Sequence, residues 1–239
     1  IFVGDSVGTN VLGYDSETQV TIADILHHLK AVKRGTNSSF ILADLPYGTY
    51  TTPEDAVENA RSLMENGADG VKLEGLQVEA IAAIVAEGIP LCGHLGLLPQ
   101  FHEKKRVKGK TFDRAKEIVE EAVKLESMGV FAIVLELVPE ELGKIISERV
   151  SVPTIGIGSG RFCDGQVLIV HDILGITPRK LRLAKKYQDF QTLTLDAIAQ
   201  YKQDVETGVF PSEENLRHIA PEALQKLMNW LGKWGRYEV

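Results

Sequence analysis

Six apolar runs in this 239-residue chain each end on a polar residue whose type is suited to chemistry. In chain order these residues are Asp5, Asp44, Glu74, His94, Glu136 and Ser159. Apolar runs separated by helix-like stretches are typical of buried parallel strands, whose carboxyl ends open on one face of a sheet or barrel. A polar residue at that end of a barrel strand is more often catalytic than structural. The pattern therefore predicts a single site, and its carboxylates favour a hard divalent cation together with proton transfer.

The segment VKLEG, residues 71–75, places two opposite charges inside an apolar run. Strand alternation puts Lys72 and Glu74 on the same face, and burying both charges is costly unless each finds a partner. One interpretation is a purely structural ion pair between these two residues. The other is that Glu74 helps Asp5 and Asp44 to hold a Mg2+-type cation, while Lys72 meets a substrate anion.

Acidic residues also begin the turns after the first two runs. Asp5 lies in VGDSVG, where Gly4 and Gly8 permit a tight turn and Ser6 offers a hydroxyl and an amide to an anion. The alternative is an ordinary Asx turn at the end of a strand. Asp44, in ADLPYG, has the same alternative, and the occurrence of both acids at strand ends favours a site.

Three later residues complete the set. His94 lies between glycines in CGHLGL, which favours an approachable imidazole over a core histidine. Glu136 ends the run AIVLE and suits a general base, with a partner for a helix N-terminus as the alternative. Ser159 lies in GIGSG, a glycine-rich turn that is weak evidence for anion binding, and we include it among the predicted substrate-binding residues.

The stretches between the runs have the signals of helices. Residues 22–35 carry apolar side chains at helical spacing and stop at Gly35. Thr52 is a predicted N-cap followed by Pro53 at the first helical position. Further helices are predicted near 76–87, 112–128 and 139–150, with an irregular basic loop over 101–110.

These elements predict an α/β fold. The apolar stretch 166–174 completes a count of seven strand-like segments, and parallel strands with helical crossovers form an open sheet or close at eight. Because the chain starts inside a strand, we predict a (β/α)8 TIM barrel over residues 1–188 whose first βα unit lies upstream of residue 1. Residues 189–239 are predicted to be C-terminal helices that pack on the barrel or on a neighbouring subunit.

Composition favours small-molecule chemistry in the cytoplasm. The net charge of -7 argues against nucleic acid and anionic lipid as partners. Two cysteines, Cys92 and Cys163, fit a reducing compartment and have no metal-pair spacing. No apolar run approaches the roughly 20 residues needed to span a bilayer, so we expect no membrane partner.

Eight ordered segments resemble the ketopantoate (3-methyl-2-oxobutanoate) hydroxymethyltransferase family across residues 1–214. They are VGDS, ADLP, VKLEG, CGHLGLLPQ, VLELVP, IGIGSG, CDGQVLIVHDILGI and ETGVFPSEE. The resemblance implies a barrel related to phosphoenolpyruvate mutase and isocitrate lyase enzymes. It implies transfer of a one-carbon unit from 5,10-methylenetetrahydrofolate to 3-methyl-2-oxobutanoate, on the route to pantothenate and coenzyme A. Residues 215–239 lie beyond the common end of that family.

The resemblance also implies roles for individual residues. Asp5 and Asp44 would bind one Mg2+ per subunit, with Glu74 among or beside its ligands, and Glu136 would be the catalytic base. The keto acid would contact Asp5, Ser6, Asp44, Lys72, His94 and Ser159. A homo-oligomer, a decamer as in relatives, is expected. Two alternatives stay open: a lyase or mutase of the same barrel superfamily, and a catalytically silent barrel.

Overall fold

The computed structural model describes residues 1–101, 106–178 and 181–232. Residues 102–105, in the middle of the predicted basic loop, therefore lie outside the described residues. The chain divides into two compact units, Ile1–Gln188 and Asp189–Val239. The first unit contains the sheet, and the second contains the C-terminal helices.

One seven-stranded parallel sheet, with its strands in chain order, forms the frame of the first unit. Its strands are β1 (Phe2–Val3), β2 (Leu42–Asp44), β3 (Gly70–Lys72), β4 (Leu91–Gly96), β5 (Ala132–Glu136), β6 (Thr154–Ile157) and β7 (Gly165–Gln166). Each strand pairs in parallel with the next. Sequential parallel order results when every crossover returns in the same direction, as in a barrel. The prediction of a parallel α/β sheet is confirmed.

Helices connect the first six strands and cover one face of the sheet, and a further short helix follows β7. They are α1 (Ile22–Gly35), α2 (Pro53–Glu65), α3 (Val78–Ala86), α4 (Phe112–Ser127), α5 (Glu140–Arg149) and the short α6 (Val170–Leu174). The predicted cap at Thr52 is confirmed, because its side chain accepts from the amide of Asp55 and Pro53 follows at the first position. Thr21 and Asp24 form a capping box that starts α1.

The last predicted strand was wrong in its extent. The sequence predicts a strand over residues 166–174, whereas the structure pairs only Gly165 and Gln166 with β6 and then forms α6. A short apolar run has no periodicity that separates a buried strand from a buried helix. Gly175, at φ 65°, provides the left-handed position that ends this helix.

The two faces of the sheet have different partners, as period-two alternation requires. On one face, Ala43, Val71 and Leu135 join the main core with Leu29 and Leu63 of the covering helices. On the other face, which the helices do not cover, a smaller apolar cluster packs among the strands. Its members are Cys92, Ala132 and Val134, with Leu42, Ile155 and Ile157 packed against them.

The second unit consists mainly of α7 (Phe190–Thr207) and α8 (Pro221–Leu231), neither of which has a buried residue. Exposed apolar side chains on them include Leu193, Ile198 and Leu227. The packing of this unit against the barrel or a neighbouring subunit stays a prediction. Within the described chain, no helix combines the length and apolarity required to cross a membrane.

Candidate active site

Strand register brings the predicted residues of the middle strands to one level. Asp44 is opposite Lys72, and Lys72 is opposite Cys92 in the next strand. Successive side chains of a strand point to opposite faces. Val71 and Leu73 point into the core between sheet and helices, so Lys72 and Glu74 point to the interior face, and His94 of β4 lies on that face too. All three side chains are buried. The prediction of convergence at the carboxyl ends of the strands is therefore confirmed for these residues.

The first strand delivers Asp5 to the same place. The backbone amide of Asp5 donates to Asp44 Oδ2 at 2.9 Å. Gly4 permits this approach, because a Cβ at that position would lie 3.2 Å from Asp44 Oδ2 and 3.6 Å from Ser6 Oγ. Ser6 is half-buried, and its hydroxyl lies on the same side of Gly4 as a Cβ there would.

Lys72 is the buried cation between these acids. Its Nζ lies 2.8 Å from Asp44 Oδ1 and 3.7 Å from Glu74 Oε1. The ion pair with Glu74 that the sequence left open is therefore present, but Asp44 is the nearer partner. Burial alone would lower the pKa of Lys72, and the surrounding carboxylates outweigh it, so the pKa is raised and the ammonium stays charged.

Carboxylates outnumber the ammonium in this cluster, and their pKa values reflect it. Burial, followed by repulsion from Asp44, raises the pKa of Asp5 to about 7. Burial also raises the pKa of Glu74 to about 8, although Lys72 opposes the shift. Both acids hold protons more tightly than in water, chiefly because burial disfavours the charged carboxylate and secondarily because neighbouring carboxylates repel it.

His94 links Lys72 to Glu136. Its Nδ1 lies 3.1 Å from Lys72 Nζ, and its Nε2 lies 3.4 Å from Glu136 Oε2. Burial, reinforced by Lys72, lowers the pKa of His94, so the ring is neutral. An ammonium only donates, so Nδ1 accepts and the ring proton sits on Nε2, facing Glu136. Glu136 is the more accessible member, with 16% of its side chain exposed.

Two uncharged residues complete the cluster, and sequence reasoning missed both. Gln100 Nε2 donates to Asp5 Oδ2 at 2.8 Å, and the Gln100 backbone amide donates to Glu74 Oε2 at 3.0 Å. The hydroxyl of Tyr50 donates to Gln100 Oε1. Only their positions in the sequence could have indicated them. Gln100 ends the segment that contains His94, and Tyr50 follows the turn after Asp44.

Ser159 lies apart from these contacts. It is buried, its Oγ donates to the carbonyl of Leu135 at 2.7 Å, and it accepts from the amide of Val138 at 3.3 Å. The hydroxyl thus ties the end of β5 to the turn after β6. A role in substrate binding stays a prediction. Because the hydroxyl proton is donated to Leu135, Ser159 could accept a hydrogen bond from a ligand but could donate one only by giving up that bond.

The carboxylates of the cluster are possible ligands for a divalent cation. Within residues 1–101, 106–178 and 181–232, no three His, Cys, Asp or Glu side chains form a ready metal cluster. Mg2+, however, usually binds through one or two carboxylates and completes its shell with substrate and water. Asp44 Oδ1 is buried and has no hydrogen bond of good geometry within the described chain, although Lys72 is close. Asp5 and Asp44 supply carboxylate oxygens of the kind that such a cation takes, and their assignment as its ligands stays a prediction.

Known proteins resemble this chain over most of its length. A family model described as ketopantoate hydroxymethyltransferase matches residues 1–213. The 3-methyl-2-oxobutanoate hydroxymethyltransferase of Thermosipho melanesiensis is 48% identical over 222 residues, 90% of this chain and 84% of the relative. That of Nitrosopumilus maritimus is 44% identical and spans 97% of this chain and 86% of the relative.

A solved structure supports the fold. A Burkholderia cenocepacia J2315 protein assigned as a phosphonomutase matches with a TM-score of 0.53 and covers 87% of this chain and 83% of its own. At 13% identity the likeness concerns architecture alone. It agrees with the barrel type predicted from the sequence.

Proposed function

The chain belongs to the ketopantoate hydroxymethyltransferase family, and from this premise we propose that it converts 3-methyl-2-oxobutanoate to ketopantoate. The proposed one-carbon donor is 5,10-methylenetetrahydrofolate, and the proposed role is in pantothenate and coenzyme A biosynthesis. The observation that carries the proposal is the convergence of Asp5, Asp44, Lys72 and His94, from four strands, on one buried polar cluster. Glu136 lies at its accessible edge.

Asp5 and Asp44 are the residues that would hold Mg2+, and Glu74 would contribute its charge beside them. When bound, the cation would polarise the keto group and stabilise the negative charge that develops on proton removal. Burial, with carboxylate repulsion as a smaller cause, raises the pKa values of Asp5 and Glu74, and a bound cation would stabilise the charged form of both acids. An excess of buried carboxylates without a cation beside them would only lower the stability of the fold.

Proton transfer is assigned to Glu136. Its carboxylate faces the ring proton of His94, and this contact would hold the base in place without neutralising it. Lys72 and Ser6 would bind the carboxylate of the keto acid, with the ammonium supplying charge and the hydroxyl supplying direction. Glu136 would then take the C3 proton, and the resulting carbanion would bond to the methylene carbon. Water would supply the hydroxyl oxygen as both carbon–nitrogen bonds to the folate break. The proton held by Glu136 and one proton from water would pass to the two folate nitrogens, and tetrahydrofolate would leave.

Proton exchange tests this proposal before any folate is added. Enzyme with Mg2+ in deuterium oxide should exchange the C3 proton of 3-methyl-2-oxobutanoate, as followed by proton NMR, and Glu136→Gln should stop the exchange. Glu148→Gln is the matched control, since Glu148 is exposed on α5 and pairs only loosely with Lys144. Absence of exchange with the intact enzyme would contradict the proposal.

Addition of methylenetetrahydrofolate separates the transferase from a lyase or mutase of similar fold. Ketopantoate should then form in proportion to the folate consumed, as measured by liquid chromatography. If the C3 proton exchanges but no ketopantoate forms, the protein removes the proton from the keto acid and does not transfer the hydroxymethyl group.

A cytoplasmic homo-oligomer is proposed from the family resemblance, with a decamer as the expected form. The exposed apolar faces of α7 and α8 support a role for the second unit in assembly. Sedimentation velocity of the full chain tests it, and a monomer at micromolar concentration would refute it.

A further inference from the structure

Gln100 lies at the centre of the polar cluster, although it carries no charge. It is buried, and it comes from the loop after β4, outside the strands that supply the acids. Its side-chain nitrogen contacts Asp5 Oδ2 at 2.8 Å and the carbonyl of Leu45 at 3.1 Å. Its backbone amide contacts Glu74 Oε2 at 3.0 Å. One residue therefore touches two of the three clustered carboxylates.

The orientation of the Gln100 amide is determined by its partners. A carboxylate and a carbonyl only accept, so Nε2 must face Asp5 and Leu45. The carbonyl oxygen Oε1 consequently faces Tyr50, whose hydroxyl donates to it. Burial raises the pKa of Tyr50, so this hydroxyl keeps its proton and remains a donor. Every side-chain polar atom of Gln100 is thus used, and the amide cannot rotate without losing bonds.

Asp5 has the greatest need of such a partner. It follows the two-residue strand β1 and lies in a turn, so backbone pairing does little to orient its carboxylate. Oriented ligand carboxylates are themselves usually hydrogen-bonded, and loss of such outer partners typically costs about 10–100-fold in metal affinity.

We propose that Gln100, locked by Tyr50, is a positioning residue that orients Asp5 and Glu74 for the divalent cation. This inference rests on the proposed function. Gln100 contacts neither the keto acid nor the reacting atoms in this assignment, and it acts through the two carboxylates. Tyr50 acts one step further out, through the Gln100 side-chain amide.

Two variants remove the network at different depths. Gln100→Met keeps the approximate volume, removes the three side-chain hydrogen bonds and leaves the backbone bond to Glu74. Tyr50→Phe removes only the hydroxyl that fixes the amide. Gln166→Met repeats the first change on β7, where Gln166 contacts only the Gly160 carbonyl among its described hydrogen bonds. Tyr14→Phe repeats the second change at a half-buried tyrosine that packs against the core.

The primary measurement is Mn2+ binding by electron paramagnetic resonance, with no substrate present. Gln100→Met should raise the dissociation constant for Mn2+ by about 10–100-fold. Tyr50→Phe should raise it by about fivefold, the equivalent of one net hydrogen bond. Both controls should bind Mn2+ as the unchanged enzyme does.

A second measurement separates positioning from general damage. If Gln100 acts only through the cation, deuterium exchange in Gln100→Met should return to the unchanged rate at saturating Mg2+. A rate that stays low at saturation with the fold intact would contradict the inference. If Gln100→Met does not unfold cooperatively, Tyr50→Phe decides the question alone.

The two proposals fail in different ways. An unchanged enzyme that binds no Mn2+ and exchanges no proton refutes the proposed function, and the positioning role falls with it. The other outcome is an unchanged enzyme that binds Mn2+ and exchanges the proton. If Gln100→Met and Tyr50→Phe then bind Mn2+ within about twofold of that enzyme, the positioning role alone is refuted.

Discussion

Replacement of Lys72 by methionine is the sharpest test of the charge balance in the cluster. The ammonium lies 2.8 Å from Asp44 Oδ1 and 3.7 Å from Glu74 Oε1, with nearly all of its surface buried. Methionine preserves most of the side-chain volume and removes the charge. The clustered carboxylates then face one another without a cationic side chain between them. Removal of one partner from a buried ion pair typically costs ~3–5 kcal/mol, and we expect Lys72→Met to lose that much.

The loss should depend on pH with a definite sign. Asp5 and Glu74 have pKa values raised to about 7 and about 8, so the folded state holds more protons than the unfolded state from about pH 4 to pH 8. Stability therefore falls as pH rises through that window. Lys72 lowers both pKa values, and its removal raises them further. The deficit of the variant should consequently be larger at pH 8.5 than at pH 5.5.

Urea unfolding in the presence of a chelator measures both quantities. The matched control is Lys116→Met on α4, where the ammonium is 59% exposed and pairs with Glu120 at 3.6 Å. An exposed pair of this kind is worth at most ~1 kcal/mol at either pH. A Lys72→Met free energy of unfolding within ~0.5 kcal/mol of the control at pH 8.5 would refute the reasoning, as would a deficit that shrinks with rising pH.

Two further predictions concern the backbone and the thiols. Gly96→Ala should lower the free energy of unfolding by at least ~2 kcal/mol in a urea titration, because φ is 95° and a Cβ would lie 2.2 Å from the Glu136 carbonyl oxygen. Gly88→Ala, at φ 72° with open space around the Cβ, should cost only ~1 kcal/mol, and equal losses would contradict the steric explanation. Burial raises the pKa of Cys92 to about 12 and also raises that of Cys163, so the native protein should show no rapid thiol reaction with Ellman's reagent at pH 8, whereas both thiols should react in urea. A fast native thiol reaction would overturn this expectation.

The sequence was most informative where regular structure carries the site. Lys72 and Glu74 share a face because strand alternation has a period of two, and this needed no tertiary knowledge. Which residues lie opposite Lys72 in the neighbouring strands, Asp44 and Cys92, depends on the strand register. The hydrophobic pattern limits the possible registers but does not select one. The prediction therefore extended to convergence but not to which acid pairs with the lysine.

Residues outside the strands were the ones that prediction missed. Gln100 and Tyr50 come from loops, carry no charge and follow no periodic pattern, so their contact across 50 residues depends on the folded loops. Ser159 shows the opposite failure, since its hydroxyl bonds to the backbone of β5 and the following turn. A serine in a glycine-rich turn is equally suited to a ligand or to the main chain, and only the local geometry decides.

The surplus of acid over base in the cluster connects its stability with its proposed chemistry. A fold selected only for stability would balance Lys72 with one carboxylate, because each additional buried charge carries a desolvation cost. Asp5, Asp44 and Glu74 all approach the same centre, and two of them have raised pKa values there. Such an arrangement carries an electrostatic cost, and the proposed divalent cation would offset it by adding positive charge beside the carboxylates. The same electrostatic repulsion that lowers the stability of the fold would then provide part of the affinity for the cation.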